Sequence, residues 1–151
     1  ALVVVLDGIE DPQNLGAAAR TAEVAGAAML VTRRARAADV TAAAVRASAG
    51  ALLHLPHARV ANLARALERL RDQGFTVVGL DEDAPTSVYA ARREGRTAIV
   101  LGAEGEGLSR LVRERCDALV SLPQRGRIGS LNASAALAAV LYAFALRPER
   151  D

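Results

Sequence analysis

The sequence predicts a single α/β domain with a mainly parallel sheet and helices on both faces. Its 151 residues are enough for one domain with a full core, and 52% of them are hydrophobic. Short apolar runs alternate with segments of helical periodicity along the chain. Strands that alternate with helices in this way form parallel sheets covered by helices on both faces.

The first half of the chain contains three predicted strands and two predicted helices. An apolar run over residues 2–6 predicts a buried strand, residues 14–26 a helix capped by Asn14, and residues 28–31 a second strand. Residues 60–73 predict an amphipathic helix, with Leu63, Leu67 and Leu70 on one face. Gly74 ends this helix, and residues 75–80 follow as a strand.

The second half repeats the alternation. Residues 98–101 predict a strand, followed by a glycine-rich turn and a helix from about Ser109, and residues 118–122 predict a further strand. The last predicted helix, residues 130–146, is the most apolar one. Ligands of parallel sheets bind beyond the carboxyl ends of the strands. Three loops with unusual chemistry are expected there: residues 7–14, 102–107 and 123–132.

Composition restricts the kinds of protein to consider. Nineteen basic residues, all of them arginines, against seventeen acidic ones give a formal net charge of +2. Arginine suits an RNA partner, because its guanidinium binds phosphates in a forked geometry and stacks on bases. Cys116 is the single cysteine, which excludes an internal disulfide and a multi-cysteine metal site, and we predict a buried structural thiol. No apolar run reaches transmembrane length, so we expect a cytoplasmic protein with no membrane partner.

The loop over residues 102–107 has the strand–glycines–helix form of a nucleotide-binding turn, in which Gly102, Gly105 and Gly107 allow close approach of a ligand. A P-loop is excluded, because it needs a lysine and the chain has none. A pyrophosphate would be repelled by Glu104 and Glu106. The loop therefore favours a ligand that is neutral or cationic there, such as S-adenosylmethionine. Taken alone, the pattern is equally consistent with a plain tight turn.

The other two loops carry polar side chains at the starts of helices. Ser130, Asn132 and Ser134 cluster where the last helix begins, and capping explains one of them but not all three. We interpret Asn132 as a ligand contact. Arg20 follows Asn14 by six residues on a helix of small side chains, and the start of that helix is expected to face the site.

Together, these segments resemble the three signature motifs of the SpoU/TrmH RNA 2′-O-ribose methyltransferases of the SPOUT superfamily. The segment DPQNLGAAAR, residues 11–20, resembles motif 1; LGAEGEGL, residues 101–108, resembles motif 2; and LPQRGRIGSLNAS, residues 122–134, resembles motif 3. They occur in the family's order across nearly the whole chain. The pattern is most similar to the 23S ribosomal-RNA guanosine methyltransferases, although Gln124 and Phe144 depart from residues common there.

The resemblance implies an enzyme that transfers a methyl group from S-adenosyl-L-methionine to a ribose 2′-hydroxyl of structured RNA, ribosomal or transfer, without a metal. It implies a carboxyl-terminal trefoil knot and a homodimer in which both subunits complete each site. Residues 1–151 would form one catalytic domain, with the family's amino-terminal RNA-binding domain absent from the chain. Leu137, Val140 and Leu141 of the apolar last helix are predicted to lie on the dimer surface.

The resemblance also assigns site residues. Arg20 is implied as the main catalytic residue, with Asn14, Glu104, Ser130 and Asn132 around it. The residues implied to hold the cofactor are Leu101, Gly102, Ala103, Glu104, Gly105, Gly107, Leu122, Pro123, Ile128, Ser130, Leu131 and Asn132. Arg20 is either a general base or a group that orients the hydroxyl, and the second role is less demanding because the guanidinium pKa exceeds about 12.

Two other functions remain as alternatives to the methyltransferase, namely a binding module and a dehydrogenase. A binding module with the same fold would hold RNA or cofactor without catalysis, but the joint presence of Arg20, Glu104 and Asn132 argues against it. A nicotinamide-dependent dehydrogenase is disfavoured by the acidic glycine loop and by the lack of a G-x-G-x-x-G segment after the first strand. His54 and His57 lie outside all three motifs and are predicted to be structural or surface residues.

Overall fold

A computed structural model of the protein describes residues 1–34, 41–127 and 131–148. Six strands form one sheet: β1 (Leu2–Asp7), β2 (Met29–Arg33), β3 (His57–Val60), β4 (Thr76–Leu80), β5 (Thr97–Gly102) and β6 (Ala118–Val120). Their order across the sheet is β3-β2-β1-β5-β4-β6, and every neighbouring pair is parallel. The predicted α/β class with a parallel sheet is therefore confirmed.

Helices pack on both faces of this sheet, as predicted. They are α1 (Pro12–Val24), α2 (Ala42–Ala47), α3 (Ala51–His54), α4 (Leu63–Asp72), α5 (Arg110–Arg115) and α6 (Ala133–Val140), which continues into a π-helical turn at Leu141–Ala145. On one face, α1, α2 and α6 pack on the even-numbered residues of β1. On the other, α4 and α5 pack on its odd-numbered residues. The two cores follow from the alternation of side chains along a strand.

The amino-terminal end of α1 differs from the prediction. The helix begins at Pro12, and the Asp11 carboxylate accepts a hydrogen bond from the Gln13 amide at 2.8 Å. Asp11 therefore caps the helix, and the prediction that Asn14 does so is wrong. The cause is Pro12, whose fixed φ and missing N–H suit the first helical position. Gly16 then lets α1 lie close to α2, because a Cβ there would be 2.3 Å from the Ala44 carbonyl oxygen.

The region between β2 and α4 contains structure that the sequence pattern did not indicate. Residues 57–60 form β3 at one edge of the sheet, whereas no strand had been predicted there and the following helix had been predicted to begin at residue 60. The helix begins at Leu63, after Asn62, whose side chain accepts from the Arg65 amide at 3.1 Å. The short helices α2 and α3 were also not predicted. A four-residue edge strand has too few residues to show a clear alternation.

The last helix packs inside the chain. Leu137, Val140 and Leu141 have no exposed surface, and Phe144 is also buried. They belong to the core that α6 shares with α1 and β1. The prediction that Leu137, Val140 and Leu141 form a dimer surface is therefore wrong, since their apolar character is explained by contacts within one subunit.

The cysteine and both histidines have structural or surface positions. The Cys116 thiol donates to the Val112 carbonyl at 3.4 Å. Burial, with the charges of Asp117 and Asp7, raises the pKa of Cys116 to about 12, so the group is a protonated structural thiol, as predicted. His57 shares a hydrogen bond of 2.8 Å with the Thr32 hydroxyl across β2 and β3, and burial lowers its pKa. His54 is exposed at the end of α3.

The described residues contain neither a candidate membrane-spanning helix nor a candidate metal-binding cluster. Within the described ranges, no helix is long and apolar enough to cross a membrane. Those ranges also contain no cluster of three or more histidine, cysteine or acidic side chains that could hold a metal ion. Residues 128–130, which precede α6 in the sequence, lie outside the described residues, and the trefoil knot stays a prediction.

Candidate functional site

A cleft of about 250 Å³ lies beyond the carboxyl ends of β4, β5 and β6. Three segments that are distant in sequence meet there because these strands are neighbours in a parallel sheet. The lining residues are residues 80–83, residues 101–107, Arg113, Leu122, Gln124, Leu131, Ala133 and Ala136. The cleft therefore has the position expected of a ligand site in this fold.

The glycine loop forms one wall of the cleft and closes tightly on itself. The Gly107 amide donates to the Ala103 carbonyl at 2.9 Å, and Gly105 and Gly107 adopt positive φ angles of 81° and 70°. A Cβ at Gly102 would lie 2.2 Å from the backbone carbon and oxygen of Gly107. Any side chain at Gly102 would therefore displace backbone, and the loop depends on glycine there.

A buried carboxylate anchors the far end of this loop. Asp7, at the end of β1, is 9% exposed and accepts a hydrogen bond from the Ser109 amide at 2.8 Å. Ser109 precedes α5, so the contact fixes the loop between β5 and α5 against the neighbouring strand. Asp7 was not among the predicted site residues, although an acidic residue directly after an apolar strand was a signal for it.

The charges that line the cleft are strongly unbalanced. Among the described lining residues there are five carboxylates, of Asp81, Glu82, Asp83, Glu104 and Glu106, and one guanidinium, that of Arg113. Arg113 forms an ion pair with Asp81 at 2.9 Å, and the Asp81 side chain is only 7% exposed. The remaining carboxylates favour a ligand with positive charge and disfavour one that carries phosphates.

An apolar surface completes the cleft. It is contributed by β4, β5, the segment after β6, the residue before the α6 cap and α6 itself, and it is formed by Leu80, Leu101, Leu122, Leu131, Ala133 and Ala136. Such a surface suits the faces of a flat ring such as a purine, because moving these faces out of water costs little free energy. A cationic nucleoside without phosphate combines the two requirements of the cleft.

Most residues predicted to hold the cofactor line this cleft. They are Leu101, Gly102, Ala103, Glu104, Gly105, Gly107, Leu122 and Leu131. Pro123 and Asn132 are not among the described lining residues, and Ile128 and Ser130 lie outside the described ranges. Sequence reasoning missed Asp81, Glu82, Asp83 and Arg113. The run of three acidic residues directly after the strand at 75–80 was a usable signal, whereas Arg113 was one of nineteen arginines.

Asn132 serves first as the cap of α6. Its side-chain oxygen accepts from the Ala135 amide at 2.9 Å and from the Ser134 hydroxyl at 3.2 Å. Capping therefore accounts for the oxygen of Asn132, and Ser134 donates its hydroxyl to the same atom. The amide nitrogen of Asn132 makes no hydrogen bond to a residue in the described part of the chain, and the neighbouring residues Leu131 and Ala133 line the cleft.

The two site residues predicted on α1 lie elsewhere. Neither Asn14 nor Arg20 is among the described residues that line the cleft. Arg20 is exposed, and within residues 1–34, 41–127 and 131–148 it has no hydrogen bond or ion pair. One subunit alone therefore does not bring Arg20 to the cleft.

A second cavity of about 370 Å³ lies on the other side of the glycine loop. Its lining includes Asp7, Gly8, Glu10 and Arg33 from the ends of β1 and β2 and their loops. Ala103, Glu104, Glu106 and Gly107 line both cavities. This second cavity lies at β1 and β5, where the strand order reverses. The two cavities thus share the glycine loop as a common wall.

Comparisons with known proteins agree with this geometry. The chain is 46% identical over 141 residues to the 23S rRNA (guanosine-2′-O-)-methyltransferase RlmB of a Burkholderia species, covering 93% of this chain and 57% of the relative. It is 52% identical over 142 residues to an uncharacterized tRNA/rRNA methyltransferase of Mycolicibacterium vanbaalenii, covering 93% and 45%. The chain thus spans about half the length of these relatives.

The fold is that of a known methyltransferase structure. The crystal structure of the SpoU methyltransferase AviRb from Streptomyces viridochromogenes, in complex with AdoMet, superposes with a TM-score of 0.86 at 33% identity. The match covers 93% of this chain and 58% of AviRb. The family model described as the SpoU rRNA Methylase family matches residues 1–142. The resemblance seen in the three motifs is confirmed, and the chain belongs to the SpoU rRNA methylase family.

Proposed function

We propose that the chain catalyses transfer of a methyl group from S-adenosylmethionine to a ribose 2′-hydroxyl of RNA. The observation that carries this proposal is the acidic, glycine-walled cleft at the ends of β4, β5 and β6. Relatives supply the reaction class, since one is named a guanosine-2′-O-methyltransferase and another was crystallised with AdoMet. The acidic glycine loop disfavours a dehydrogenase, because a dinucleotide would place its pyrophosphate beside Glu104 and Glu106.

The residues of the cleft fit S-adenosylmethionine. The apolar surface that includes Leu101, Leu122 and Leu131 would cover the adenine, and the backbone of the glycine loop would hold the adjoining part of the molecule. The cleft carboxylates suit its net positive charge. When bound, the cofactor supplies a methyl group already activated by its sulfonium, so no metal is required.

The second cavity is the place that we assign to the ribose of the target nucleotide, while its phosphates would lie outside the acidic lining. It shares Glu104 with the cofactor cleft, so that carboxylate borders both the donor and the acceptor. Glu104 would receive or relay the proton of the attacking hydroxyl. Arg20 would grip the neighbouring phosphate and orient the hydroxyl, because free deprotonation of a guanidinium is very unfavourable near neutral pH.

A homodimer would account for the position of Arg20. Arg20 lies on an exposed face of α1 and does not line the cleft of its own chain. A second copy could bring its Arg20 to that cleft. Val24, Tyr142 and Leu146 are large apolar side chains at 64%, 53% and 38% exposure, on α1 and at the end of the last helix. They replace the buried Leu137, Val140 and Leu141 as candidates for the dimer surface.

We infer that ribosomal RNA is the favoured substrate class, with transfer RNA as the alternative. One relative is named for 23S rRNA, whereas the other carries the name tRNA/rRNA methyltransferase. Selection of the target by a separate RNA-binding domain, the trefoil knot and a cytoplasmic location all remain predictions from the family resemblance.

The experiment measures transfer of labelled methyl groups from S-adenosylmethionine to unmodified transcripts, at RNA concentrations high enough to saturate a weak site. We expect incorporation into 23S rRNA above that into tRNA. Asn132→Ala should lower the rate at least about tenfold, because Asn132 lies between two residues that line the cleft and its amide nitrogen would bind the cofactor. Asn62→Ala is the matched control, since Asn62 caps α4 with the same contact to the third following amide.

Two outcomes would count against the proposal. If no transcript gains label while the chain binds cofactor, the chain is a binding module. If Asn62→Ala and Asn132→Ala lower the rate equally, the effect of Asn132 is helix capping alone, which is worth about 1 kcal/mol in either helix.

A further inference from the structure

We propose that Arg113 recognises the α-carboxylate of the cofactor and thereby fixes the direction in which the cofactor lies in the cleft. This inference rests on the proposed function, since it assumes S-adenosylmethionine as the ligand. Arg113 lies on α5, outside the three family motifs, and sequence reasoning did not assign it to the site.

The charges of the ligand and of the cleft lead to this assignment. The methionine end of S-adenosylmethionine carries two positive groups, the sulfonium and the ammonium, and one negative group, the carboxylate. The described cleft residues carry five carboxylates and one guanidinium, and residues 128–130 contain no charged side chain. Of these charged side chains, the Arg113 guanidinium alone has the sign that attracts a ligand carboxylate. Arg113 is therefore the group that can accept it.

The ion pair with Asp81 prepares Arg113 for this role. One nitrogen of the guanidinium, Nη1, donates to the Asp81 carboxylate at 2.9 Å, and the Asp81 side chain is only 7% exposed. Asp81 is itself held, since it accepts the Asp83 amide at 3.0 Å. A guanidinium has five N–H donors, so the others stay available for a second carboxylate. The Arg113 side chain is 42% exposed and can be reached from the cleft.

The amino-terminal end of α6 is the competing site for the ligand carboxylate. Ala133 lines the cleft, and the Asn132 side chain is bonded to the Ala135 amide, which leaves earlier amides of the helix available. A carboxylate bound there would gain from the helix dipole. The affinity for the ligand would then not depend on Arg113. A substitution of Arg113 therefore distinguishes the two possible sites.

The test compares two ligands by calorimetric titration of the purified chain: S-adenosylhomocysteine and its decarboxylated analogue, which retains the ammonium. Wild type should bind S-adenosylhomocysteine at least about tenfold more tightly, the range expected for a charge-assisted contact. Arg113→Gln should lose that preference, weakening S-adenosylhomocysteine by a similar factor and leaving the analogue within about twofold. Arg110→Gln, an exposed arginine on the same helix that does not line the cleft, should leave both affinities unchanged.

Arg113→Lys guards against a folding effect, because it keeps a positive charge beside Asp81 and removes only the forked geometry. It should show a smaller loss, again confined to S-adenosylhomocysteine. Equal weakening of both ligands in Arg113→Gln, or no weakening of either, would overturn the assignment. If wild type bound neither ligand, the proposed cofactor use itself would be wrong.

Discussion

Replacing Gly102 by alanine is expected to weaken binding of S-adenosylhomocysteine to the chain at least about a hundredfold. The added Cβ would lie 2.2 Å from the Gly107 backbone, which is itself bonded to Ala103. The loop would have to open to relieve this contact, and its opening would remove one wall of the cleft. Overlap of this kind with main-chain atoms cannot be relieved by rotation of a side chain. Calorimetric titration measures the effect directly.

Gly74→Ala is the matched control for this variant. Gly74 has a positive φ of 87° at the end of α4, with nothing within 4 Å of a built Cβ, and it does not line the cleft. Its replacement should lower the stability of the chain by about 1 kcal/mol and leave cofactor affinity unchanged. Wild-type affinity in Gly102→Ala would show that the glycine loop is not the wall of the cofactor site.

Replacing Arg20 by alanine is expected to lower the turnover of methyl transfer about a hundredfold or more and to leave the affinity for S-adenosylhomocysteine unchanged. The first effect follows from loss of the group that positions the hydroxyl. The second follows because Arg20 is assigned to the RNA phosphate and not to the cofactor, and it does not line the cleft of its own chain. Arg20→Lys should keep substantial activity if the role is charge alone, whereas a loss as complete as that of alanine would indicate the forked geometry or a base role.

Arg69→Ala is the control for removal of a helical arginine. Arg69 is exposed on α4, on the opposite face of the sheet from α1, and should be replaceable without loss of turnover. A loss of cofactor affinity in Arg20→Ala would contradict the assigned role. So would full turnover in that variant.

Mixing the two inactive variants extends the Arg20 prediction to the dimer. If Arg20 acts on the cleft of the partner, a re-equilibrated equal mixture of Arg20→Ala and Gly102→Ala should recover about a quarter of wild-type turnover. Half of the dimers would then be mixed, and one of their two sites would have both an intact cleft and an intact Arg20. If Arg20 acted within its own chain, no mixed dimer would contain a complete site and no activity would return.

Much of the fold could be predicted because its longer strands and helices have recognisable patterns of apolar residues. The buried strands β1 and β5 read as apolar runs, and α4 carries Leu63, Leu67 and Leu70 on its inner side. The edge strand β3 has only four residues and was missed. Leu137 was wrongly predicted to lie on a dimer surface. An apolar helix face is expected to be buried, but the sequence does not show whether the same chain or a second chain buries it.

The candidate site could be predicted where its chemistry lies within one segment. Gly102, Glu104 and Gly107 stand together in the sequence, and all three line the cleft. Asp81 and Arg113 are 32 residues apart and become partners only through the pairing of β4 with its neighbours and the packing of α5. Arg113 is one of nineteen arginines, and nothing in the sequence indicates that Asp81 is its partner.

Alkaline hydrolysis of labelled RNA is the most direct test of the central claim. The chain is incubated with methyl-labelled S-adenosylmethionine and an unmodified 23S rRNA transcript, and the recovered RNA is then digested with alkali. Alkali cleaves RNA through the free 2′-hydroxyl, so a methylated ribose protects the bond that follows it. We predict that the label is recovered in alkali-resistant dinucleotides. Recovery of the label in mononucleotides would place the methyl group on a base and contradict the proposed function.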